Sequence, residues 1–369
     1  MASSWYVGAM SGTSLDGVDA VLTDLGAPGV PAVTSAVHVD FSPALRQRIL
    51  ALCQGQPVAL AELGAVDVLI ARNYAQAVHA LLRQAGVAAA AVRAIGAHGQ
   101  TVHHQPGGAT PFTLQLGDPN LLAAETGITV VADFRRRDMA LGGQGAPLAP
   151  GFHDIALRHA SLTRVVLNCG GIANISLLIP GQPCTGYDTG PANILLDAWV
   201  QARRGERFDG NGAWAAQGRI DTPLLTSMLA DPYFKLAPPK STGREHFNLA
   251  WLQSQLAAMA RPLADVDVQR TLLELSASSI AQAVARHAAG GELLVCGGGA
   301  FNATLMQRLA ALNPGWTVAS TAAHGIAPEA MEALAFAVFA QRTLAGLPGN
   351  VPSVTGASRP CVLGGIYAP

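Results

Sequence analysis

Gly8-Ala9-Met10-Ser11-Gly12-Thr13-Ser14-Leu15-Asp16-Gly17 joins two apolar segments through residues so small that successive main-chain N–H groups can converge on an anion, with hydroxyls beside them. Asp16 and Asp19 add carboxylates where a hydrated Mg²⁺ could sit, since that ion takes one or two carboxylates and keeps several waters. The string also suits a plain hairpin turn. Asn168-Cys169-Gly170-Gly171-Ile172-Ala173-Asn174 is a second turn of this kind. A third, Cys296-Gly297-Gly298-Gly299-Ala300-Phe301-Asn302, follows an apolar strand and opens a helix, which permits close approach of a flat or anionic ligand or simply tight packing.

The acids and arginines come next. Gly186-Tyr187-Asp188-Thr189-Gly190-Pro191-Ala192-Asn193 precedes an apolar helix pattern, and Pro191 suits a first helical position. Asp188 is then either a residue of the helix cap or a carboxylate able to draw a proton from an attacking oxygen. Glu332 is the only charged residue between Ala330 and Ala340, with Phe336 and Phe339 on its face at helical spacing. A lone acid in such company needs a partner, either an ion pair at the helix start or a ligand. Asp133-Phe134-Arg135-Arg136-Arg137-Asp138 follows an apparent strand. Its guanidinium forks either recognise the carboxylate of an acidic sugar or form a solvated surface cluster. His98-Gly99-Gln100-Thr101 and Gln115-Leu116-Gly117-Asp118-Pro119 read as polar strand ends suited to sugar hydroxyls, or as turns.

The elements that must position these groups alternate. Residues 5–9, 18–23 and 32–39 read as three antiparallel strands separated by turns. Leu63, Val66, Ile70, Tyr74, Ala77 and Leu81 recur at helical spacing, and residues 94–97 and 128–132 read as later strands. The pattern restarts with strands at 164–167 and 175–179, an extended piece near Thr185 and a helix from about Pro191. This weak repeat suggests duplication of one α/β module. Helices over 251–259 and 268–286, a strand at 293–296, helices over 303–312 and from about Pro328, and an extended tail at 361–367 complete the second half. The expected division is residues 1–130 as a first lobe, 131–354 as a second, and a tail from about 355 to 369 returning to the first.

Bulk properties narrow the partners. With 369 residues, half of them hydrophobic and 13% charged, the chain can bury about two cores. A net charge of −1 and no basic run longer than Arg135-Arg136-Arg137 give no footprint for nucleic acid or anionic membrane, so the expected ligand is small. The five cysteines have neither disulfide nor zinc spacing, and a reducing cytoplasm fits. The beginning, Met1-Ala2-Ser3-Ser4-Trp5, reads as no signal peptide. The uncharged residues 165–187 are broken by Gly170-Gly171, Pro180 and Pro183 and read as strand, turn, strand rather than a membrane span. The two lysines, Lys235 and Lys240, do not follow glycine, so no GxxxxGK[ST] loop exists, and GxGxxG is absent too.

Taken in order, Met10-Ser11-Gly12-Thr13-Ser14-Leu15-Asp16-Gly17-Val18-Asp19, His98-Gly99-Gln100-Thr101, residues 132–138, Gly142-Gly143-Gln144-Gly145-Ala146-Pro147, Tyr187-Asp188-Thr189-Gly190-Pro191, Lys240-Ser241-Thr242-Gly243-Arg244-Glu245 and the 296–302 segment resemble the anhydro-N-acetylmuramic acid kinase family nearly end to end. The resemblance implies a two-lobed actin-like ATPase fold, ribonuclease H-like, with duplicated mixed-sheet modules and a central ATP cleft. It maps Gly12 through Asp19 onto ATP phosphate binding and Asp188 onto the catalytic base. It implies a reaction in which water opens the 1,6-anhydro bridge of anhydro-N-acetylmuramic acid while the freed 6-oxygen takes the γ-phosphoryl of ATP, in peptidoglycan recycling. A homodimer is expected on the same ground. The rival expectations are another sugar or small-acid kinase of this fold, or a non-catalytic actin-like ATP switch.

Overall fold

The computed structural model describes residues 4–12, 14–27 and 29–369; Thr13, expected at the phosphate turn, lies outside them. The chain divides into two compact units. The first holds the residues up to Ala156 together with His324–Ile326 and Ala330–Pro369, and the second holds Leu157–Ala323 with Ala327–Glu329.

In the first unit, β1 (Trp5–Ser11), β2 (Gly17–Asp24) and β3 (Val33–Asp40) form an antiparallel meander. β4 (Val92–Gln105) then lies parallel to β1 and carries β5 (Phe112–Leu116) as a hairpin partner. β6 (Val130–Ala132) is parallel to β4 and antiparallel to the C-terminal β12 (Gly365–Tyr367). The expected boundary at 130/131 therefore cuts β6, whose hydrogen bonds to β4 and β12 belong to the first unit. In the second unit β7 (Arg164–Cys169), β8 (Ile172–Leu178) and β9 (Thr185–Pro191) form another antiparallel meander. β10 (Gly291–Cys296) is parallel to β7, and β11 (Trp316–Ser320) is parallel to β10. The sheet paths read β3-β2-β1-β4-β6-β12 and β9-β8-β7-β10-β11. Third, second, first, fourth strand, with the same directions, is common to both: the α/β mixed-sheet module is duplicated, as the repeat predicts.

Burial explains which elements form. The helix Leu60–Ala85 exceeds the predicted stretch at both ends and buries Val66, Ile70, Tyr74, Ala77 and Leu81 on one stripe. Side chains such as Val66, Ile70 and Leu81 each contribute about 1.5–3 kcal/mol when fully buried. On the opposite side of the strands, the helix Met331–Leu344 packs against β1 and β4, burying Phe336 and Phe339. Its approach depends on Gly8 and Gly96. A Cβ on Gly8 would lie 1.9 Å from the Ala333 carbonyl oxygen, and one on Gly96 would lie 1.9 Å from that of Phe336. In the second unit the helix Asp265–Ala285 buries Leu272, Leu275 and Ile280 into the other core.

Three further expectations are corrected. β4 extends well past residue 97, so His98 and Gln100 are buried within a strand and are neither its end nor a turn. The 186–191 string is strand, not helix start: β9 runs through Pro191, paired with Ile172, and the helix begins at Asn193. The amides of Ala192, Asn193 and Ile194 are satisfied instead by the carbonyls of Gly170 and Gly171. The late helix likewise begins at Met331 rather than near Pro328.

Candidate functional site

In the first unit the β1–β2 turn keeps its open face. Gly12 has no neighbour nearer to a Cβ than Ser14 Oγ at 3.8 Å, so packing leaves the space beside it free. The Leu15 amide donates to the Gly12 carbonyl (3.3 Å) and the Gly17 amide to Asp16 Oδ1 (3.0 Å), so these two N–H groups are not free for an anion. Those of Ser14 and Asp16 have no protein acceptor among the described residues. Val18 is fully buried and can offer only main chain, while Gly17 is required because a Cβ there would meet the Val39 carbonyl at 2.3 Å. Ser14 Oγ donates to Asp16 Oδ1 at 2.7 Å, and Asp19 Oδ1 pairs with His38 Nδ1 at 2.8 Å. No group of three His, Cys, Asp or Glu side chains among the described residues could hold a metal. The all-oxygen pair Asp16 and Asp19 nevertheless fits Mg²⁺, which needs no more than one or two carboxylates.

Beside the middle of β4 stands a charged cluster. Arg135 donates from Nε and Nη2 to the same atom, His98 Nε2, at 3.0 and 2.8 Å, and from Nη1 to the Gly145 carbonyl at 2.9 Å. Because a guanidinium has only donors, His98 Nε2 must be unprotonated and the ring proton sits on Nδ1. Burial and then Arg135 hold the His98 pKa well below the ordinary imidazole value, so the ring is a neutral strut. Its Nδ1 and the Oε1 of Gln100 are buried without a hydrogen-bond partner among the described residues, although the Gly99 main chain lies near enough to favour ring protonation slightly. The His98 ring packs on Phe336, centroids 4.7 Å apart. That contact fixes the helix carrying Glu332. Glu332 remains reachable by solvent yet is closely surrounded by protein; burial pushes its pKa up, Arg135 opposes this, and Asp19 adds to it. Burial lowers Arg135 to about 10, still leaving it charged, with Glu332 acting to restore it.

The three arginines separate. Arg136 is exposed, lies 3.5 Å from Asp133, and lines with His98 and Gln115 a cavity of about 250 Å³. Arg137 is exposed and lines none of this. Asp138 is structural: fully buried, it accepts from the Gly145 amide, Asn350 and Thr355.

In the second unit Asp188 sits on β9, the edge strand of its sheet, and not in a helix cap. Its Oδ2 accepts the Thr242 amide at 3.1 Å. Oδ1 accepts no hydrogen bond among the described residues. Burial raises the Asp188 pKa, the Thr242 amide counters this, and the Glu245 carboxylate adds to the rise. The Gly170–Gly171 turn is open to a Cβ at both glycines, but its carbonyls cap the helix Asn193–Arg204, and Asn168 sits in the ladder opposite Asn174. At the third turn a Cβ on Gly297 would meet Asn168 Oδ1 at 2.6 Å and one on Gly299 would meet Cys169 Sγ at 2.3 Å, so these two are glycine for packing. Gly298 is open and lines a cavity of about 390 Å³ with Asp197, Asp209, Asn211, Phe208 and Phe301. Burial and then Asp209 raise Asp197 to about 6.

Sequence reasoning missed Tyr233, Thr242 as a contact of Asp188, and Asp197. Only the order of the 240–245 string marked that segment, while Tyr233 and Asp197 carried no local signal.

The sequence model of a family described as anhydro-N-acetylmuramic acid kinase matches residues 4–369. Among solved structures, the activator of the 2-hydroxyisocaproyl-CoA dehydratase from Clostridium difficile with bound ADPNP is 10% identical, covering 91% of this chain and 94% of that one, with a TM-score of 0.46. A ROK hexokinase from Thermus thermophilus is 16% identical over 91% and 99%, with a TM-score of 0.38. A ROK family glucokinase from Streptomyces griseus in complex with glucose and AMPPNP is 14% identical over 92% and 99%, also at 0.38. The family match spans nearly the whole sequence, and on it this chain belongs to the anhydro-N-acetylmuramic acid kinase family, a family of sugar kinases.

Proposed function

We propose that the protein uses ATP to open and phosphorylate 1,6-anhydro-N-acetylmuramic acid, giving N-acetylmuramic acid 6-phosphate and ADP. The observation that carries the reading is Asp188: one carboxylate oxygen is anchored by a main-chain amide, the other is unengaged, and burial raises its basicity. A base of that kind accepts the proton of a water whose oxygen joins the anomeric carbon. The bond from that carbon to the 6-oxygen breaks, the 6-oxygen takes the γ-phosphoryl group, and ADP leaves.

The phosphates are assigned to residues 12–19, where the Ser14 and Asp16 amides are free to donate, and the adenosine to the 297–299 segment through its open Gly298. Asp16 and Asp19 would hold Mg²⁺, which supplies charge neutralisation on the phosphates. His98, Gln100 and Arg135 are assigned to the sugar, with Arg136 beside them; Arg137, exposed and apart from the His98 cavity, is the weakest of the substrate assignments. Glu332 is assigned to holding the water or the sugar. The role fits the recycling of peptidoglycan fragments in a bacterial cytoplasm. No helix among the described residues is long and apolar enough to cross a membrane.

The test is mass spectrometry of the product formed from ATP, Mg²⁺, the anhydro sugar and heavy-oxygen water. One heavy oxygen at the anomeric carbon of a phosphorylated sugar, seen immediately after quenching, is the expected result. Phosphorylation of other acceptors but not this one would leave a kinase and remove the substrate assignment. If no acceptor is phosphorylated, the ATP-switch reading replaces it.

A further inference from the structure

We propose that Tyr233 is the positioning residue for Asp188, acting with the 240–242 segment as a strap that fixes Oδ2 and leaves Oδ1 as the proton-accepting atom. The inference rests on the assignment of Asp188 as base.

An edge strand leaves one row of its peptide groups without a ladder partner. At Asp188 that row is taken up by a segment about fifty residues later in the chain. The Asp188 amide donates to the Lys240 carbonyl at 3.1 Å, and the Tyr233 hydroxyl donates to the Asp188 carbonyl at 2.6 Å. With the Thr242 amide on Oδ2 at 3.1 Å, both main-chain groups and one carboxylate oxygen of the same residue are held by one short stretch of chain.

The strap is itself braced. Tyr233 is 4% exposed, its ring edge-on to Phe234 and Phe247 at centroid distances of 5.9 and 5.6 Å. Lys240 Nζ donates to the Tyr233 carbonyl at 3.0 Å and lies 4.4 Å from the centre of the Tyr233 ring, closing the strap on itself. Asp231 caps the helix Pro232–Lys235 by accepting the Tyr233 amide at 2.9 Å, and the same carboxylate accepts from Trp251 Nε1 at 3.0 Å. Rigid support of this kind holds a base within the fraction of an ångström that proton transfer requires.

The phenol is the part that can be removed cleanly, because Tyr233→Phe keeps the ring contacts and deletes one hydrogen bond. The proposal predicts that kcat falls about tenfold, the order of one lost hydrogen bond of about 1.4 kcal/mol at the reacting centre, while the KM for ATP stays within twofold. Slackening the strap weakens the Thr242 contact, which keeps the Asp188 pKa down. The acid limb of kcat therefore moves to higher pH. Parallel loss of kcat, KM and thermal stability would instead mark Tyr233 as a packing residue and overturn the proposal, as would an unchanged kcat and acid limb.

A second readout does not depend on the substrate assignment. In full-length protein with ¹³C-labelled aspartate carboxyls, assigned with Asp188→Asn, the Asp188 resonance should titrate at higher pH in Tyr233→Phe than in the parent. An unmoved titration overturns the strap even if the anhydro sugar proves to be the wrong acceptor. A moved titration without sugar turnover retains the strap and removes only the substrate.

Discussion

The β1–β2 turn of the first unit and the β7–β8 turn of the second stand at the same place in two sheets of the same strand order, yet their hydrogen bonds differ. The first keeps, among the described residues, the Ser14 and Asp16 amides free, open space beside Gly12, and two carboxylates at its rim. The second gives the carbonyls of Gly170 and Gly171 to the first amides of the helix Asn193–Arg204, groups that would otherwise be unsatisfied at a helix start. The strand order is thus common to the two sheets, while the carbonyls of the two turns are used differently. Among the described residues both turns keep amides without a protein acceptor, Ser14 and Asp16 in one and Gly170 and Gly171 in the other. They differ in that the first adds the carboxylates of Asp16 and Asp19, while the carbonyls of the second cap a helix beside the strand that carries Asp188.

Two carboxylates continue the contrast. Burial raises both Glu332 and Asp188, but Glu332 is countered by the charge of Arg135 and Asp188 by a main-chain amide. A charge at a distance restrains a side chain less than a hydrogen bond does, which favours Asp188 as the geometrically defined base. The sharpest way to break this distinction is Asp188→Asn. Turnover of the anhydro sugar should fall by about 10²–10⁴, the range of general-base catalysis, with the calorimetrically measured affinity for ATP retained. Substantial residual turnover would move the base elsewhere, with Glu332 the next candidate.

A smaller effect tests the two turns directly. Ala at Gly12 or at Gly170 meets only atoms 3.8 Å away, so neither substitution should disturb the fold. At Gly12 the added methyl occupies the space assigned to phosphate, and kcat/KM for ATP should fall about tenfold, near the 1.4 kcal/mol that one clash or one lost donor costs. At Gly170 the loss should be about threefold or less. Equal losses would mean that both turns bear on the nucleotide and that the capping role of the second is incidental.

The legible parts of this molecule were those whose signal is local. Leu63 to Leu81 announced a helix because one face of it is buried, and the apolar runs of β1, β7 and β10 announced strands for the same reason. The Asp188 string failed as a helix cap because Pro191 carries the same local signal at a strand end as at a first helical turn. Pairing with Ile172 and hydrogen bonds from residues 233–242 decided the matter, and neither is written in the string itself. Glu332 was visible as an isolated acid, but its electrostatic partner Arg135 lies nearly two hundred residues earlier. Of the three adjacent arginines, composition could not say that Arg135 alone would be fixed by His98.

The least effect belongs to the helix that the second turn caps. Asp197 on that helix has no hydrogen-bond partner among the described residues, and burial and Asp209 raise its pKa from the ordinary 3.8 to about 6. The sign follows from proton binding: between pH 4 and 6 the folded chain holds a proton that the unfolded chain has released, so stability declines as pH rises through that window and the penalty is complete above it. The full shift corresponds to about 3 kcal/mol, but the side chain is partly exposed and solvent screening reduces this to about 1 kcal/mol. Asp197→Asn should therefore raise the melting temperature at pH 7.5 by about 2–4 °C and give no advantage at pH 4. An equal gain at both pH values would trace the effect to packing rather than charge. No gain at either would mean that Asp197 ionises freely, leaving the cap of the second turn without the electrostatic load that distinguishes its helix.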